Sequence, residues 1–266
     1  MNYFNKTVEL TKKYIEQLKM DGVDQIVVSE KGENMLNSTK SRKNSAKSCL
    51  SEKKIKKTIA ANKLEESVPL KMSHHGKISL TGLTKEIENC RRCPLCKSRK
   101  NVVPGEGNPK AELMFIGEGP GLSEDRLGRP FVGRSGQLLD KIISAMKMKR
   151  EDVFIANIVK CHPMVDPSQP DSRGNDRKPT LDEIKMCICY LEKQIEIIEP
   201  KIICALGSVS ATTLTGITAP LGELRGKFYD YKGIKLIATF HPSALLRNPN
   251  WKKDAWEDMK KIMKEI

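Results

Sequence analysis

Three cysteines are separated by two residues each in the segment ENCRRCPLCKSRKN, positions 88–101: Cys90, Cys93 and Cys96. Cysteines at this spacing are typical of metal sites, and both zinc and iron–sulfur clusters use it. The chain carries eight cysteines in 266 residues, and its first stretch, MNYFNKTVELTKKY, lacks the apolar core of a secretion signal. We therefore expect a cytoplasmic protein whose thiols are reduced or bound to metal, and not a disulfide scaffold.

A second group of chemically capable residues follows two apolar runs. The segment GEGPGLSEDRLGRPFVGRSGQ (117–137) is rich in glycine, which lets backbone N–H groups approach a ligand, and its length favours a functional loop. Its glycines do not follow the dinucleotide-binding order. Asn157 lies inside the run ANIVKCHP, where its amide either ties two backbone segments together or reads a planar amide such as a nucleobase edge.

The segment HPSALLRNP (241–249) supplies a third group. His241 is either a packed core histidine or a functional residue at a strand end. Leu246 and Arg247 follow it on what reads as an exposed basic loop, and a leucine in that setting can wedge between stacked bases.

Four apolar runs predict the strands that position these groups: AELMFIGE (111–118), DVFIANIV (152–159), KIICALG (201–207) and KLIATFH (235–241). Helical patterns alternate with them, and one of these opens with a capping box formed by Thr180 and Glu183. This alternation predicts an α/β fold, a three-layer α/β/α sandwich around a central four-stranded parallel sheet. In such sheets ligands bind at the carboxyl ends of the strands, which the glycine-rich segment, Asn157 and His241 follow or occupy.

The first 76 residues read as an N-terminal extension of a domain that spans residues 77–266. Residues 5–20 predict a short helix. Residues 31–63 hold ten Lys or Arg, two Glu and no aromatic residue, which predicts a disordered basic linker. The linker is either a basic arm that scans nucleic acid or a solvated tether.

The net charge of +14 indicates a polyanionic partner, because phosphates attract Lys and Arg at long range. Residues 77–266 alone contain 32 basic and 24 acidic residues, so the predicted domain is itself basic. Apolar runs are too short for a membrane-spanning helix, and we expect none.

Taken together, GEGPGLSEDRLGRPFVGRSGQLL, ANIVKCHP, EIKMCICYLEKQI and HPSALLR closely resemble the motifs of the family 4, iron–sulfur uracil-DNA glycosylases. The likeness covers roughly residues 80–263. It implies an enzyme that flips uracil out of single- or double-stranded DNA and hydrolyses its N-glycosidic bond, leaving an abasic site for base excision repair. We expect a monomer; a replication-clamp or other repair partner stays unproven.

The resemblance implies a structural 4Fe–4S cluster with four thiolate ligands: Cys90, Cys93, Cys161 and Cys187. The helical pattern agrees, because Cys187 shares a face with apolar residues whereas Cys189 points elsewhere. Cys96 and Cys189 are then spare thiols, and Cys204 belongs to the core. Four thiolates would also satisfy zinc, which stays the competing metal. The basic residues within 88–101 either face DNA or form a solvated rim.

The resemblance also implies how uracil is read. Phe131 stacks on the flipped base and Asn157 reads its edge. Glu124 crowds the uracil C5 position, which would exclude the methyl group of thymine.

For the chemical step, the resemblance implies that His241 stabilises the negative charge developing at uracil O2. Backbone N–H groups of Gly117 and Gly119 would assist in the manner of an oxyanion hole. Glu118 is the candidate anion beside the sugar and the attacking water. The implied DNA contacts are Ser243 at a phosphate and two residues that fill the gap left by the flipped base, Leu246 and Arg247.

Three alternatives stay open. The protein could be a glycosylase for another deaminated base such as hypoxanthine, or a non-catalytic iron–sulfur module that only binds DNA. It could also be an oxidoreductase with a redox pair formed by Cys96 and Cys189, although that function would leave the glycine-rich segment unexplained.

Overall fold

The structure is a computed structural model that describes residues 79–266. The helix predicted over residues 5–20 and the basic linker predicted over residues 31–63 lie outside the described residues. Residues 79–266 form one mixed sheet of six strands and eight α-helices, so the predicted α/β class is confirmed. No helix in this part of the chain combines the length and the apolar character needed to cross a bilayer.

The sheet holds the four predicted parallel strands in its centre and a short antiparallel strand at each edge. Its strands are β1 (Glu106–Gly107), β2 (Leu113–Gly117), β3 (Phe154–Asn157), β4 (Ile202–Leu206), β5 (Phe228–Tyr231) and β6 (Ile234–Thr239). Their order is β1-β3-β2-β4-β6-β5, with β1 and β5 antiparallel to their neighbours. Apolar runs alone do not predict the edge strands, because β1 has two residues and β5 alternates exposed with half-buried positions.

Two segments that the sequence predicts as loops contain short helices. The helices are α1 (Leu80–Glu88), α2 (Leu122–Leu127), α3 (Arg134–Ala145), α4 (Leu181–Ile198), α5 (Ser208–Thr215), α6 (Leu221–Leu224), α7 (Pro242–Arg247) and α8 (Lys252–Ile262). Within the glycine-rich segment, α2 ends at Gly128, whose φ of 68° is a left-handed conformation that suits glycine. Directly after the last strand, α7 begins with His241 as its N-cap and Pro242 at its first position.

Helices cover both faces of the sheet, which confirms the three-layer architecture. Successive side chains of each central strand point to opposite faces and therefore enter two different cores. In one core Ile116 of β2 joins Leu191 of α4. In the other core Phe115 joins Leu139 of α3 and Met259 of α8.

The predicted capping box fixes the start of α4. The Thr180 hydroxyl accepts from the N–H of Glu183 (3.2 Å), and the Glu183 carboxylate accepts from the N–H of Thr180 (2.8 Å). Arg177 donates to both carboxylate oxygens of Glu183, at 2.7 and 2.8 Å, and lowers the pKa of that carboxyl. This start sets which face of α4 is buried, and Cys187 lies on that face.

The end of β6 is anchored to α8 by a buried carboxylate. Asp258 accepts from the hydroxyl of Thr239 at 2.7 Å and from two guanidinium nitrogens of Arg225 at 2.9 and 3.1 Å. Thr239 is the last residue of β6 and lies two positions before His241. The ion pair therefore helps to hold the strand end that carries His241.

Replacing Asp258 by alanine removes the acceptor for Thr239 and leaves the guanidinium of Arg225 partly buried without its partner. We expect the temperature of half-unfolding to fall by about 6–12 °C, which corresponds to about 3 kcal/mol. Circular dichroism under anaerobic conditions measures this change. The control is Glu257→Ala, which removes an exposed carboxylate paired with Lys260 one turn away and should leave the temperature unchanged. Equal losses in both variants would contradict the anchor.

Candidate active site and cysteine site

The carboxyl ends of the central strands bring three of the predicted site residues to one edge of the sheet. Gly117 ends β2 and pairs with Asn157, which ends β3. His241 follows the end of β6 by two residues. It lies close to Gly207, because a Cβ atom added at Gly207 would be 3.0 Å from the Cβ atom of His241. Gly207 has a φ of 92°, so glycine suits this position in both conformation and space.

Phe131 reaches into the same place from the segment between α2 and α3. Its ring centroid lies 5.5 Å from that of His241, and the side chain is buried. A Cβ atom at Gly117 would lie 2.4 Å from Oδ1 of Asn157 and 2.5 Å from Cζ of Phe131. The absence of a side chain at Gly117 therefore allows the amide and the aromatic ring to meet.

The backbone of Phe131 is held in an unfavourable conformation. Its φ is 49°, in the left-handed region that non-glycine residues rarely adopt. A Cβ atom at Gly136 would lie only 1.9 Å from the carbonyl oxygen of Phe131, so α3 packs directly against this turn. Such conformations cluster at functional sites, where the surrounding structure enforces them.

The side-chain oxygen of Asn157 has no hydrogen-bond partner among residues 79–266, although it is buried. An unpaired buried acceptor costs about 1–3 kcal/mol, so proteins rarely keep one without a reason. Here the oxygen lies next to the position of the missing Gly117 side chain, close to the Phe131 ring. A ligand that donates one hydrogen bond at this point would satisfy it.

His241 is neutral at neutral pH. Burial lowers its pKa to about 4, and the positive charge of Arg247 acts in the same direction. Its Nδ1 accepts from the backbone N–H of Ser243 at 3.1 Å, and the Ser243 hydroxyl lies 2.8 Å from the same atom. Because Nδ1 accepts, the ring proton belongs on Nε2, which makes His241 a hydrogen-bond donor there.

Glu118 and Gly119 continue the chain beyond β2. Burial raises the pKa of the Glu118 carboxyl, and the positive charge of Lys178 offsets part of that rise. A Cβ atom at Gly119 would lie 2.8 Å from Cγ2 of Val159, so the backbone here runs close to the β3 segment. Lys178 is a neighbour that sequence reasoning missed, because sixty residues separate it from Glu118.

Glu124 has a structural task. Its Oε1 accepts from the N–H groups of Val132 and Gly133, both at 2.9 Å, and its Oε2 accepts from the N–H of Gly121 at 3.2 Å. The buried carboxylate thus joins the two ends of the segment that carries Phe131.

The predicted DNA-contacting residues lie on α7. Leu246 is 39% exposed and Arg247 is exposed, whereas Leu245 of the same helix is 1% exposed and packs inward. Ser243, in contrast, contacts the ring of His241.

The four predicted ligand cysteines gather in the core between the sheet, α1 and α4. Cys161 and Cys187 are buried there, and Cys90 and Cys93 pack against the same cluster of side chains. A backbone donor also points at one of these sulfurs: the N–H of Lys160 donates to Sγ of Cys187 at 3.3 Å. Burial raises the pKa of Cys161 to about 12 and that of Cys187 to about 11, so ionised sulfur here needs a compensating positive charge.

The spacing of these thiols bears on the kind of metal they could hold. In residues 79–266 no three Cys, His, Asp or Glu side chains are placed to hold one metal ion. A single zinc ion requires its thiolates at one short distance from one point. A four-iron cluster separates its thiolates more widely, because each binds a different iron.

Other cysteines have surroundings that differ from those of the four predicted ligands. Cys189 is half-buried and accepts from the guanidinium of Arg92 at 2.7 Å, while Cys204 is buried in β4 as expected. Cys49 lies outside the described residues.

A family model described as the uracil DNA glycosylase superfamily matches residues 104–260. The chain belongs to this superfamily. It is 42% identical over 190 residues to the type-4 uracil-DNA glycosylase of Pyrobaculum aerophilum, with 68% of this chain and 92% of that protein covered. The type-4 uracil-DNA glycosylase of Saccharolobus solfataricus is 44% identical over 193 residues, with 69% and 85% covered. These similarities confirm the resemblance to family 4 that the motifs carry.

Two basic residues of this superfamily member have positions that the sequence did not predict. Lys160 is buried, and its ammonium donates to the carbonyl oxygen of Asn157 at 3.0 Å and to Oε1 of Gln194 at 2.7 Å. Arg99, predicted to face DNA or solvent, donates instead to Sγ of Cys161 at 3.0 Å and to the carbonyl oxygen of Cys90 at 2.8 Å. The one sequence signal for Lys160 is its place in the apolar run ANIVK.

The lowered pKa of His241 predicts a pH-dependent stability. Between the ordinary value of 6.5 and the folded value of about 4, the unfolded chain binds a proton more readily than the folded protein. The free energy of unfolding should therefore decrease as the pH falls through this range, by about 3 kcal/mol at most. Urea unfolding of the wild type and of His241→Gln across the range measures the effect, since glutamine does not titrate. Identical pH dependences in the two proteins would refute it.

Proposed function

We propose that this protein removes uracil from DNA by hydrolysing the N-glycosidic bond and leaves an abasic site for base excision repair. The observation that carries the proposal is the buried Oδ1 of Asn157, which no donor within residues 79–266 satisfies and which lies beside Phe131 and Gly117. Membership of the uracil DNA glycosylase superfamily supports it. The substrate is DNA, single- or double-stranded, and we expect a monomer that acts on it in the cytoplasm.

Asn157 suits the edge of uracil. Its Oδ1 would accept from the uracil N3–H group and its amide nitrogen would donate to O4. Cytosine presents an acceptor at N3 and an amino group at C4, so the same amide would face two mismatched groups. Phe131 would stack on the flipped base and hold it in the pocket.

Glu124 is proposed to limit the space at uracil C5, and its three backbone hydrogen bonds would keep the carboxylate in one place. The same bonds affect how this role can be tested. A Glu124→Gly variant would also release the segment that carries Phe131. Glu124→Gln, which keeps the shape and part of the hydrogen bonding, is therefore the control: it should still exclude thymine, because the bulk at this position is unchanged.

In the chemical step the bond between C1′ and uracil N1 breaks, and the oxygen of a water molecule bonds to C1′. Uracil leaves with a negative charge shared by O2, and the proton that the attacking water loses is the one that the released uracil finally takes up. Neutral His241 would donate from Nε2 to O2 as that charge develops, with the backbone N–H groups around Gly117 and Gly119 as further donors. Glu118 would stand as the anion beside the sugar and the water, and the charge of Lys178 opposes the effect of burial on its pKa.

On α7, Leu246 and Arg247 are proposed to fill the gap that the flipped base leaves in the stack. Ser243 is proposed to hold a phosphate through its hydroxyl. That hydroxyl now contacts His241, but the backbone N–H of Ser243 would keep Nδ1 in place if the hydroxyl turned to a phosphate.

We further propose that a 4Fe–4S cluster is held by Cys90, Cys93, Cys161 and Cys187. When bound, it would join the segment after α1, the segment after β3 and the helix α4 without taking part in hydrolysis, which needs no electron transfer. The gathering of the four cysteines in one core and the N–H donors at the sulfurs of Cys161 and Cys187 support this ligand set.

The decisive assay incubates anaerobically purified protein with an end-labelled oligonucleotide that contains one uracil, and then cleaves abasic sites with hot alkali. We expect cleavage at uracil and none at thymine or hypoxanthine. Asn157→Ala should lower the rate by about a hundredfold or more, because the variant loses the group that reads uracil. Asn108→Ala, at a turn amide whose side chain accepts from Lys110, is the control. Binding without cleavage would favour the non-catalytic module, and cleavage at hypoxanthine would favour another lesion.

Two cysteines of α4 form a matched pair for testing the cluster. Cys187→Ser removes a proposed ligand, so we expect the purified protein to lose its iron and its visible absorption. Cys189→Ser, two residues along, should keep both, since its thiol contacts Arg92. Metal analysis of each protein distinguishes iron from zinc. A colourless wild type that contains zinc, or iron loss in both variants, would refute the ligand set.

A further inference from the structure

An aromatic stack stands directly beside the histidine of the candidate active site. The indole of Trp251 lies on the ring of Phe240, with centroids 4.8 Å apart and planes 11° apart. Phe240 immediately precedes His241, and the guanidinium of Arg225 lies over the same phenyl ring at 5.2 Å. The stack thus joins the turn after α7 to the end of the strand that carries His241.

This stack has a rigid base. Arg225 is fixed by the buried carboxylate of Asp258 and donates to the carbonyl oxygen of Asp254. Phe240 is held by the end of β6, whose last residue bonds the same carboxylate. A ring supported in this way loses little freedom when a second ring binds to it, which favours binding.

Trp251 nevertheless stays 39% exposed. Phe240 covers part of the indole, and the rest of the side chain is open to a ligand. The neighbouring exposed apolar residue, Leu246 on α7, has the same exposed fraction. Both belong to the continuous segment that follows His241, and α7 contacts the turn that carries Trp251.

The surroundings of Trp251 carry positive charge. Arg247 precedes it and Lys252 and Lys253 follow it, all exposed. An exposed aromatic ring among basic side chains is the arrangement by which proteins bind single-stranded nucleic acid, because the ring stacks on a base while the charges attract the phosphates.

We propose that Trp251 is a stacking platform for an unpaired base of the DNA strand, next to the nucleotide that enters the site. The proposal rests on DNA being the substrate and adds a preference to it. A base within a duplex already has both faces covered by its neighbours, whereas a base in a single strand offers a free face. Trp251 therefore strengthens binding to single-stranded DNA more than binding to duplex DNA.

The test measures the dissociation constant for a labelled, uracil-free oligonucleotide, as a single strand and as a duplex. We expect Trp251→Ala to weaken single-strand binding by about tenfold, with a smaller change for the duplex, and Trp251→Phe to retain most of the affinity. Phe228→Ala is the matched control, since Phe228 has the same exposed fraction but lies on the edge strand β5. Circular dichroism verifies that each variant is folded. Unchanged single-strand binding by folded Trp251→Ala would overturn the proposal.

A second measurement reports on the indole itself. The chain contains two tryptophans, so Trp256→Phe leaves Trp251 as the only indole emitter. We expect single-stranded DNA to quench the emission of Trp251. Unchanged emission at saturating DNA would overturn the proposal that a base stacks on Trp251. The two proposals fail separately. Wild-type protein that binds through Trp251 but does not cleave at uracil would refute the glycosylase function alone, whereas cleavage with no contribution from Trp251 would refute the platform alone.

Discussion

The pairing of Gly117 with Asn157 at the carboxyl ends of β2 and β3 is the constraint on which the rest of the site depends. A side chain at position 117 would occupy the space of the amide oxygen and of the Phe131 ring. The ring reaches that space through a left-handed backbone that α3 accommodates only because position 136 is glycine. The candidate site is thus defined as much by side chains that are missing as by those that are present.

One short stretch of chain contributes residues to both the candidate active site and the cysteine site. Asn157 ends β3, Lys160 lies buried three residues later, and Cys161 follows it among the clustered thiols. The ammonium of Lys160 bonds the carbonyl of Asn157 and the side chain of Gln194 on α4, and Gln194 donates in turn to the carbonyl of Pro104. Because the backbone N–H of Lys160 also donates to Sγ of Cys187, the candidate site and the cysteine site are connected by hydrogen bonds and not only by sequence.

Much of this arrangement could be read from the sequence, for reasons that differ between elements. The central strands are buried on both faces, so their apolar runs identify them, and the capping box marks the start of α4. β1 and β5 escape prediction because their pairing depends on neighbours that the local sequence does not reveal. The helix α2 escapes it because Glu124, which looks like a free acidic residue, folds back onto three backbone N–H groups.

Long-range partners account for the rest. The basic residues near the first cysteines suggest a surface, yet Arg99 turns inward to Cys161, sixty-two residues away. The effect of the Lys178 charge on the pKa of Glu118, and the stack of Trp251 on Phe240, likewise need the folded chain before they can be seen. Local pattern identifies the elements and motifs, whereas the electrostatics of the site arise from contacts between them.

The buried ammonium of Lys160 has a consequence for how the molecule would fail. Its bonds tie the carbonyl of Asn157 at the end of β3 to α4, and the next residue is one of the clustered thiols. A displacement of Cys161 would therefore be transmitted one residue along the chain to this tie, and from there to Asn157. The sheet and the second core would keep their packing, so such a disturbance would first change the candidate site and only later unfold the protein.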